Sequence, residues 1–147
     1  MSTFADSSAL VKLYADEADH RVIRALDALV VSALARVEVP SALWRKARTR
    51  ELEDSAANTL VGAFELDFHG DVESGSRFTI VSLTEGVLVE AANEAAHQGL
   101  RAYDAVQLAS ALAVRELDSR CSHFACFDAE LRRAASRAGF ALVPELG

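Results

Sequence analysis

This sequence has few cysteines, and it contains neither a long apolar run nor a basic targeting segment. Cys121 and Cys126 are the only cysteines among the 147 residues. If the segment CSHFAC is a strand, their odd separation directs them to opposite faces, so we expect no disulfide, which fits a reducing compartment. No apolar run approaches the ~20 residues that cross a bilayer, and no basic segment leads into an apolar one at the start. We therefore expect a soluble protein of the cytoplasm.

Positive charge is also in short supply. The chain has 15 lysine and arginine residues against 22 aspartate and glutamate residues, which gives a formal net charge of −7. A protein that holds nucleic-acid phosphates over a broad surface usually needs a basic face, and this composition argues against one. If nucleic acid is the substrate, another source of positive charge has to act at the site.

Several common catalytic signatures are missing as well. The sequence has no glycine-rich phosphate loop and no G-x-S-x-G nucleophile elbow. Its four histidines are scattered, and no pair of them has zinc-ligand spacing beside the cysteines. We expect the aromatic residues Trp44 and Tyr103 to pack in the core rather than stack on bases. The candidate chemistry therefore depends on carboxylates.

Short apolar runs alternate with amphipathic helical segments along the whole chain. This alternation predicts an α/β fold, a three-layer α/β/α sandwich with a mostly parallel central sheet of four to five strands. No linker or repeat interrupts the pattern, so we expect one domain over residues 1–147. The predicted strands are 3–5, 29–32, 78–83, 122–127 and 140–143, and the predicted helices are 9–14, 20–26, 34–50, 51–68, 84–97, 104–117 and 128–138.

Three aspartates lie at the ends of predicted elements. Asp6 follows the first strand, Asp128 follows the fourth, and Asp104 opens a helix in an arrangement like a capping box. Open parallel sheets place their ligand crevice outside the carboxyl ends of the strands, where Asp6 and Asp128 lie. Aspartate is also a preferred helix N-cap, so each residue taken singly could be a cap and nothing more.

Glu38 is a different case because it lies within the predicted helix that contains LARVEVPSALW. We expect Leu34, Val37, Ser41 and Ala42 to share its helical face. An acid on an apolar face needs a cation, a hydrogen-bond network or a proton, because burying an unpaired carboxylate costs several kcal/mol. The alternative is that Pro40 delays the start of the helix and leaves Glu38 in a solvent-facing first turn.

Four segments that contain these acids carry a resemblance to a known family. They are DSSALVKLY, VEVPSALWR, LRAYDAVQLASAL and FACFDAELRRAASRAGF, and they occur in the usual order and at the usual separations. With them the chain resembles the PIN-domain ribonuclease family and, within it, the VapC-type toxins of bacterial toxin-antitoxin pairs. The similarity covers nearly the whole chain and implies a PIN-like fold.

The resemblance implies a metal-dependent endoribonuclease that hydrolyses RNA in an acidic pocket. Carried over by position, Asp6, Glu38, Asp104 and Asp128 are its catalytic residues and the ligands of Mg²⁺ or Mn²⁺, with Asp128 often acting through water. The resemblance further implies products with 5′-phosphate and 3′-hydroxyl ends, a VapB-like antitoxin that inhibits the enzyme, and a homodimer. One departure is Cys126, where many relatives have threonine or serine, because a thiol is a poorer hydrogen-bond partner and leaves the support of Asp128 in question.

Two other interpretations stay open from the sequence, a non-catalytic α/β binding module and a receiver-type regulatory module. A receiver module needs a lysine late in the chain near the phosphoacceptor, whereas the only lysines here are Lys12 and Lys46. An aspartyl phosphatase needs a second aspartate two residues after the first, where this sequence has Ser8.

Overall fold

Five parallel strands form the centre of the computed structural model, which describes residues 1–145. They lie side by side in the order β3-β2-β1-β4-β5, and each neighbouring pair is parallel. This confirms the predicted α/β fold, with five strands in the sheet. The strands are β1 (Ser2–Ala5), β2 (Leu29–Ser32), β3 (Thr79–Val81), β4 (Cys121–Ala125) and β5 (Ala141–Val143).

Seven helices connect the strands within these residues. No helix in this part of the chain is both long and apolar enough to span a membrane. The helices are α1 (Ser7–Leu10), α2 (His20–Arg24), α3 (Ala35–Arg48), α4 (Asp54–His69), α5 (Glu85–Gln98), α6 (Ala102–Leu117) and α7 (Ala129–Arg137), with a 3-10 turn at Val11–Leu13.

Side chains that alternate along the central strands build a hydrophobic core on each face of the sheet. On one face, Phe4 and Phe124 stack with ring centroids 5.1 Å apart and pack against α5, α6 and α7. On the other face, Val31 packs with residues of α1, α3 and α4, such as Leu43 and Phe64. Because successive strand residues point to opposite faces, one apolar run supplies both cores. The helices on the two faces and the sheet between them form the three predicted layers.

The order of the strands creates a crevice next to β1. The chain runs from β1 outward through β2 to β3 and then returns to place β4 on the other side of β1. Ligands of open α/β sheets bind at such a switch point, outside the carboxyl ends of the strands. Asp6 directly follows β1, and Asp128 lies just beyond β4, so both flank this crevice.

One prediction about the acids is wrong in a way that matters for function. Helix α6 begins at Ala102 after Arg101, so Asp104 lies inside the first turn and does not cap the helix. Asp6 and Asp128 are caps, and their carboxylates accept hydrogen bonds from the N–H groups of Ala9 and Leu131, each over 3.0 Å. The helix-cap interpretation therefore fails for Asp104 and holds for Asp6 and Asp128.

The two cysteines are free thiols, as predicted, but both lie in the same core. Strand β4 ends at Ala125, so the alternation that would direct Cys126 to the opposite face stops before it. Both thiols are fully buried, and burial raises the pKa of each. These cysteines therefore act as small apolar core residues.

Candidate active site

All four predicted acids line one cleft at the carboxyl edge of the sheet. The cleft has a volume of about 640 Å³ and is lined by Asp6, Glu38, Asp104 and Asp128 together with neutral and basic side chains. Four different elements supply these acids: the end of β1, helix α3, helix α6 and the start of α7. The fold therefore brings together acids that are far apart in the sequence.

Asp6 is the most deeply buried of the four. It is 5% exposed, and its carboxylate accepts hydrogen bonds from the N–H of Ala9 over 3.0 Å and from the Ser8 hydroxyl over 2.7 Å. Burial, together with the smaller effect of the charges of Glu38 and Asp104, raises its pKa to about 7, although the two hydrogen bonds act in the opposite direction. A carboxyl group with a pKa near neutrality favours a nearby cation, because a cation would offset the cost of its charge.

Ser8 also connects Asp6 to the loop that contains Asp128. Its hydroxyl accepts a hydrogen bond from the backbone N–H of Phe127 over 3.2 Å while it donates to Asp6. The Ser8 side chain therefore links Asp6 to the backbone of the residue that precedes Asp128.

Glu38 is held by two polar side chains from other elements. Its Oε1 accepts from the Ser7 hydroxyl over 2.8 Å and from Gln107 Nε2 over 2.7 Å. Gln107 is 2% exposed, and its Nε2 also lies 3.1 Å from the Ser7 hydroxyl. Because an ionised carboxylate only accepts hydrogen bonds, this arrangement fixes the Gln107 amide with its nitrogen toward Glu38. Glu38 does lie in the first turn of α3, which begins at Ala35 and runs through Pro40, but it does not simply face solvent, because it is half-buried and held by Ser7 and Gln107.

Asp104 and Asp128 share a single cation from the protein itself. Arg101 Nη2 lies 3.3 Å from Asp104 Oδ2 and 3.3 Å from Asp128 Oδ2. Burial, followed by the charge of Asp128, raises the pKa of Asp104, while Arg101 lowers it. The guanidinium side chain is 79% exposed, so it bridges the two carboxylates from the mouth of the cleft.

The donor set fits a hard divalent cation, although the carboxylates have other partners in this structure. Within residues 1–145, no group of three potential ligands among the histidine, cysteine and acidic side chains is arranged to hold a metal ion. Each acid is instead engaged by serine, glutamine, arginine or backbone donors. Four carboxylates supply the oxygen ligands that Mg²⁺ and Mn²⁺ prefer, and the guanidinium of Arg101 already lies near two of them. Within residues 1–145, the buried Oε1 of Gln107, on the same amide that donates to Glu38, has no hydrogen-bond partner.

Sequence reasoning did not identify four further residues of this cleft. Ser7 and Gln107 hold Glu38, Arg101 bridges two acids, and Tyr103 lines the cleft while 65% exposed. The prediction that Tyr103 packs in the core is therefore wrong. A usable signal was present, since Gln107 lies three residues after Asp104 and therefore on the same side of helix α6.

Cys126 contributes no hydrogen bond to Asp128 within the described residues. The carboxylate of Asp128 accepts from the backbone N–H of Leu131 and from Arg101. The thiol is fully buried in the core beneath the cleft. Asp128 is therefore held by the backbone of α7 and by the guanidinium of Arg101, and not by the side chain of residue 126.

Comparison with known proteins gives a consistent result. The model of the PIN domain family matches residues 3–137. The fold is similar to the crystal structure of VapC20 from Mycobacterium tuberculosis, a toxin that cleaves the sarcin-ricin loop, with a TM-score of 0.60 and 16% identity over 94% of this chain and 95% of that chain. It is also similar to PAE2754 from Pyrobaculum aerophilum, with a TM-score of 0.60 and 25% identity over 91% of this chain and 79% of that one. No curated protein sequence gives a significant match. On the strength of the family model, which spans nearly its whole length, this chain belongs to the PIN domain family.

Proposed function

We propose that this protein is a metal-dependent endoribonuclease and the toxin of a VapBC-type toxin-antitoxin pair. The observation that carries the proposal is the convergence of Asp6, Glu38, Asp104 and Asp128 on one cleft at the switch point of the sheet. The match to the PIN domain family and the similarity in fold to the toxin VapC20 support it.

The four carboxylates would together hold Mg²⁺ or Mn²⁺. When bound, the cation would lower the pKa of a water molecule and stabilise the charge that develops on the phosphodiester. Asp6 and Asp104 would be its first ligands, and Glu38, which is oriented by its bonds to Ser7 and Gln107, would join them. The carboxylate of Asp128 accepts a hydrogen bond from the first turn of α7, which favours contact with the metal ion through a water molecule. This local positive charge would compensate for the net charge of −7.

An arginine of a VapB-like antitoxin would inhibit such a site. Guanidinium groups bind carboxylates through two parallel hydrogen bonds, and Arg101 already occupies a position between Asp104 and Asp128. An arginine supplied by a partner could compete with the metal in the same way. Inhibition would therefore require no change in the fold of the toxin.

Helices α3 and α4 provide apolar surface for the proposed homodimer. Val37 and Leu66 are 68% and 75% exposed, and Trp44 is 36% exposed. These exposed apolar side chains are candidates for the surface that a second copy would cover. We place the assembled protein in the cytoplasm, where an RNA substrate is available.

The proposal is tested by incubating the purified protein with total RNA in Mg²⁺, in Mn²⁺ and in EDTA. We expect cleavage only with the divalent ions, products with 5′-phosphate ends, and no cleavage by Asp6→Asn or Asp104→Asn. The matched control is Asp71→Asn, which removes the same charge from an exposed turn outside the cleft. Cleavage that persists in EDTA or in both site variants would contradict the proposal.

A further inference from the structure

The loop between β4 and α7 leads the chain from the sheet to Asp128. Strand β4 ends at Ala125, whose carbonyl accepts a hydrogen bond from the N–H of Asp6 over 3.1 Å. The N–H of Cys126 donates to the carbonyl of Val143 in β5 over 3.2 Å. Strands β1 and β5 end at the same level, so the next backbone groups of the loop need partners outside the sheet.

Arg132 supplies one of these partners and ties the loop to the end of β5. Its Nη1 donates to the carbonyl of Cys126 over 2.8 Å, and its Nη2 donates to the carbonyl of Pro144 over 2.6 Å. Arg132 lies one turn of α7 after Asp128, and helical side chains lean toward the N-terminus of their helix. The guanidinium therefore reaches back to the loop that precedes the helix.

The other side of the loop is held from helix α1 and the turn after it. The N–H of Phe127 donates to the Ser8 hydroxyl over 3.2 Å, and Lys12 Nζ lies 4.2 Å from the centroid of the Phe127 ring. Phe127 is thus held from one side and the carbonyl of Cys126 from the other. The backbone that leads into Asp128 is fixed by contacts that do not involve the carboxylate itself.

Arg132 has no direct contact with the acidic cleft. It is half-buried, and it is not among the residues that line the cleft, whereas Asp128 is. Any effect of Arg132 on the chemistry therefore has to act through the loop. The next residue, Arg133, is exposed and pairs with Glu130 at the surface of the same helix.

We infer that Arg132 is a positioning residue, which holds the carbonyl of Cys126 so that Asp128 stays in place relative to the other three acids. The inference rests on the proposed nuclease function, because the position of Asp128 affects cleavage only if the four acids are the catalytic site. It assigns a role to a side chain outside the cleft, since a misplacement of about 1 Å at a reacting group can cost roughly 100-fold in rate.

The test compares Arg132→Met with Arg132→Lys and with the control Arg133→Met. Methionine keeps an apolar stem and removes every donor, whereas lysine keeps the charge but cannot reproduce the fork that reaches both carbonyls. Arg133→Met makes the same change one residue away, at an exposed ion pair. The measurements are kcat and KM for RNA with Mg²⁺, melting temperature, and amide hydrogen exchange by NMR in EDTA.

Hydrogen exchange reports the loop without any cleavage. The amide of Phe127 is bonded to Ser8, and the amide of Leu131 is bonded to the carboxylate of Asp128. In Arg132→Met both amides should exchange about 10- to 150-fold faster, the range that corresponds to losing one charge-assisted hydrogen bond. In Arg133→Met both should exchange as in the wild type.

The kinetic result should be a lower kcat with little change in KM. Arg132→Met should lower kcat about 10- to 100-fold, and Arg132→Lys should retain part of the loss, because lysine can still donate to one carbonyl. Arg133→Met should keep the kcat of the wild type.

A double-mutant cycle with Asp128→Asn shows whether Arg132 acts through Asp128. Asparagine is also a preferred N-cap, so Asp128→Asn should keep the start of α7. In this background, adding Arg132→Met should change kcat less than about 2-fold, although it should lower the melting temperature as much as it does in the wild type. A further loss of kcat equal to that in the wild type would overturn the inference.

Two outcomes separate this inference from the proposed function. If the wild type cleaves RNA with Mg²⁺ but Arg132→Met keeps its kcat and its protected amides, the inference is overturned and the nuclease proposal stands. If the two amides lose protection in Arg132→Met alone but the wild type cuts no RNA, Arg132 still positions Asp128 and the nuclease proposal fails. Equal loss of protection in Arg133→Met would also overturn the role of Arg132.

Discussion

Replacing Asp6 by asparagine should stabilise the metal-free fold at alkaline pH, although it removes a proposed metal ligand. Burial raises the pKa of Asp6 from its ordinary value of 3.8 to about 7. Between these two values the folded protein binds the proton more tightly than the unfolded chain. The free energy of unfolding therefore falls as the pH rises from about 4 to about 7, and the full penalty remains above that range.

The size of the effect follows from the shift in pKa. One unit corresponds to 1.36 kcal/mol, so the ionised Asp6 costs the fold at most about 4 kcal/mol. Asparagine removes the charge but keeps an oxygen that can accept from Ala9 N–H and from the Ser8 hydroxyl. At roughly 2–4 °C per kcal/mol, Asp6→Asn should melt up to about 8–16 °C above the wild type near pH 8, and close to it near pH 4.

The assay is thermal unfolding in EDTA across this pH range for the wild type, Asp6→Asn and Asp71→Asn. Asp71 accepts hydrogen bonds from a serine hydroxyl and backbone N–H groups, as Asp6 does, but it is exposed and these bonds lower its pKa. Its replacement should therefore give no gain at alkaline pH. An Asp6→Asn protein that melts below the wild type near pH 8 would refute the reasoning, because it would show that Asp6 acts mainly as a helix cap.

Three further results are expected from the contacts within the cleft. Arg101→Ala removes an exposed cation that competes with a metal ion for Asp104 and Asp128. Calorimetry should therefore show that the variant binds Mg²⁺ about 2- to 5-fold more tightly than the wild type. An unchanged affinity would contradict this competition. Gln107→Leu should lower kcat about 10- to 100-fold with little change in KM. Gln107→His can still donate a hydrogen bond to Glu38 and should therefore keep part of the lost kcat. If the kcat of Gln107→His is as low as that of Gln107→Leu, the result counts against a positioning role. With Mg²⁺ at ten times the dissociation constant, the free energy of unfolding of the wild type should rise by roughly 1.4 kcal/mol. Glu38→Gln should lose most of this stabilisation. If thermal unfolding shows the same Mg²⁺ stabilisation in the variant, Glu38 is not part of the site.

Local patterns in the sequence predicted the fold well, because each element has a clear local cause. The apolar run Leu29–Ser32 is a strand with the predicted bounds, and Thr84 caps helix α5 by accepting from Val87 N–H over 3.2 Å. Gly99 ends that helix with a positive φ of 67°. Helix starts were predicted less well: α4 begins at Asp54, three residues after the predicted start, and α6 begins at Ala102, two residues before it.

The acids of the candidate site were predicted from element ends and from the resemblance, but their supporting contacts were not. Glu38 meets Ser7 across 31 residues of sequence and Gln107 across 69, so no local pattern contains either pair. Arg101 and Asp128 are 27 residues apart in the sequence, and their contact depends on how the start of α6 packs beside the end of β4. Such contacts arise only when the helices are packed on the sheet.

The central claim is that these four carboxylates together bind a divalent cation, and calorimetric titration of Mn²⁺ into metal-free protein tests it most directly. We predict saturable binding by the wild type and by the control Asp71→Asn, and loss of that binding in Asp104→Asn, which removes a carboxylate that does not cap helix α6. Binding by Asp104→Asn with the affinity of the wild type, or the absence of binding by the wild type, would contradict the claim.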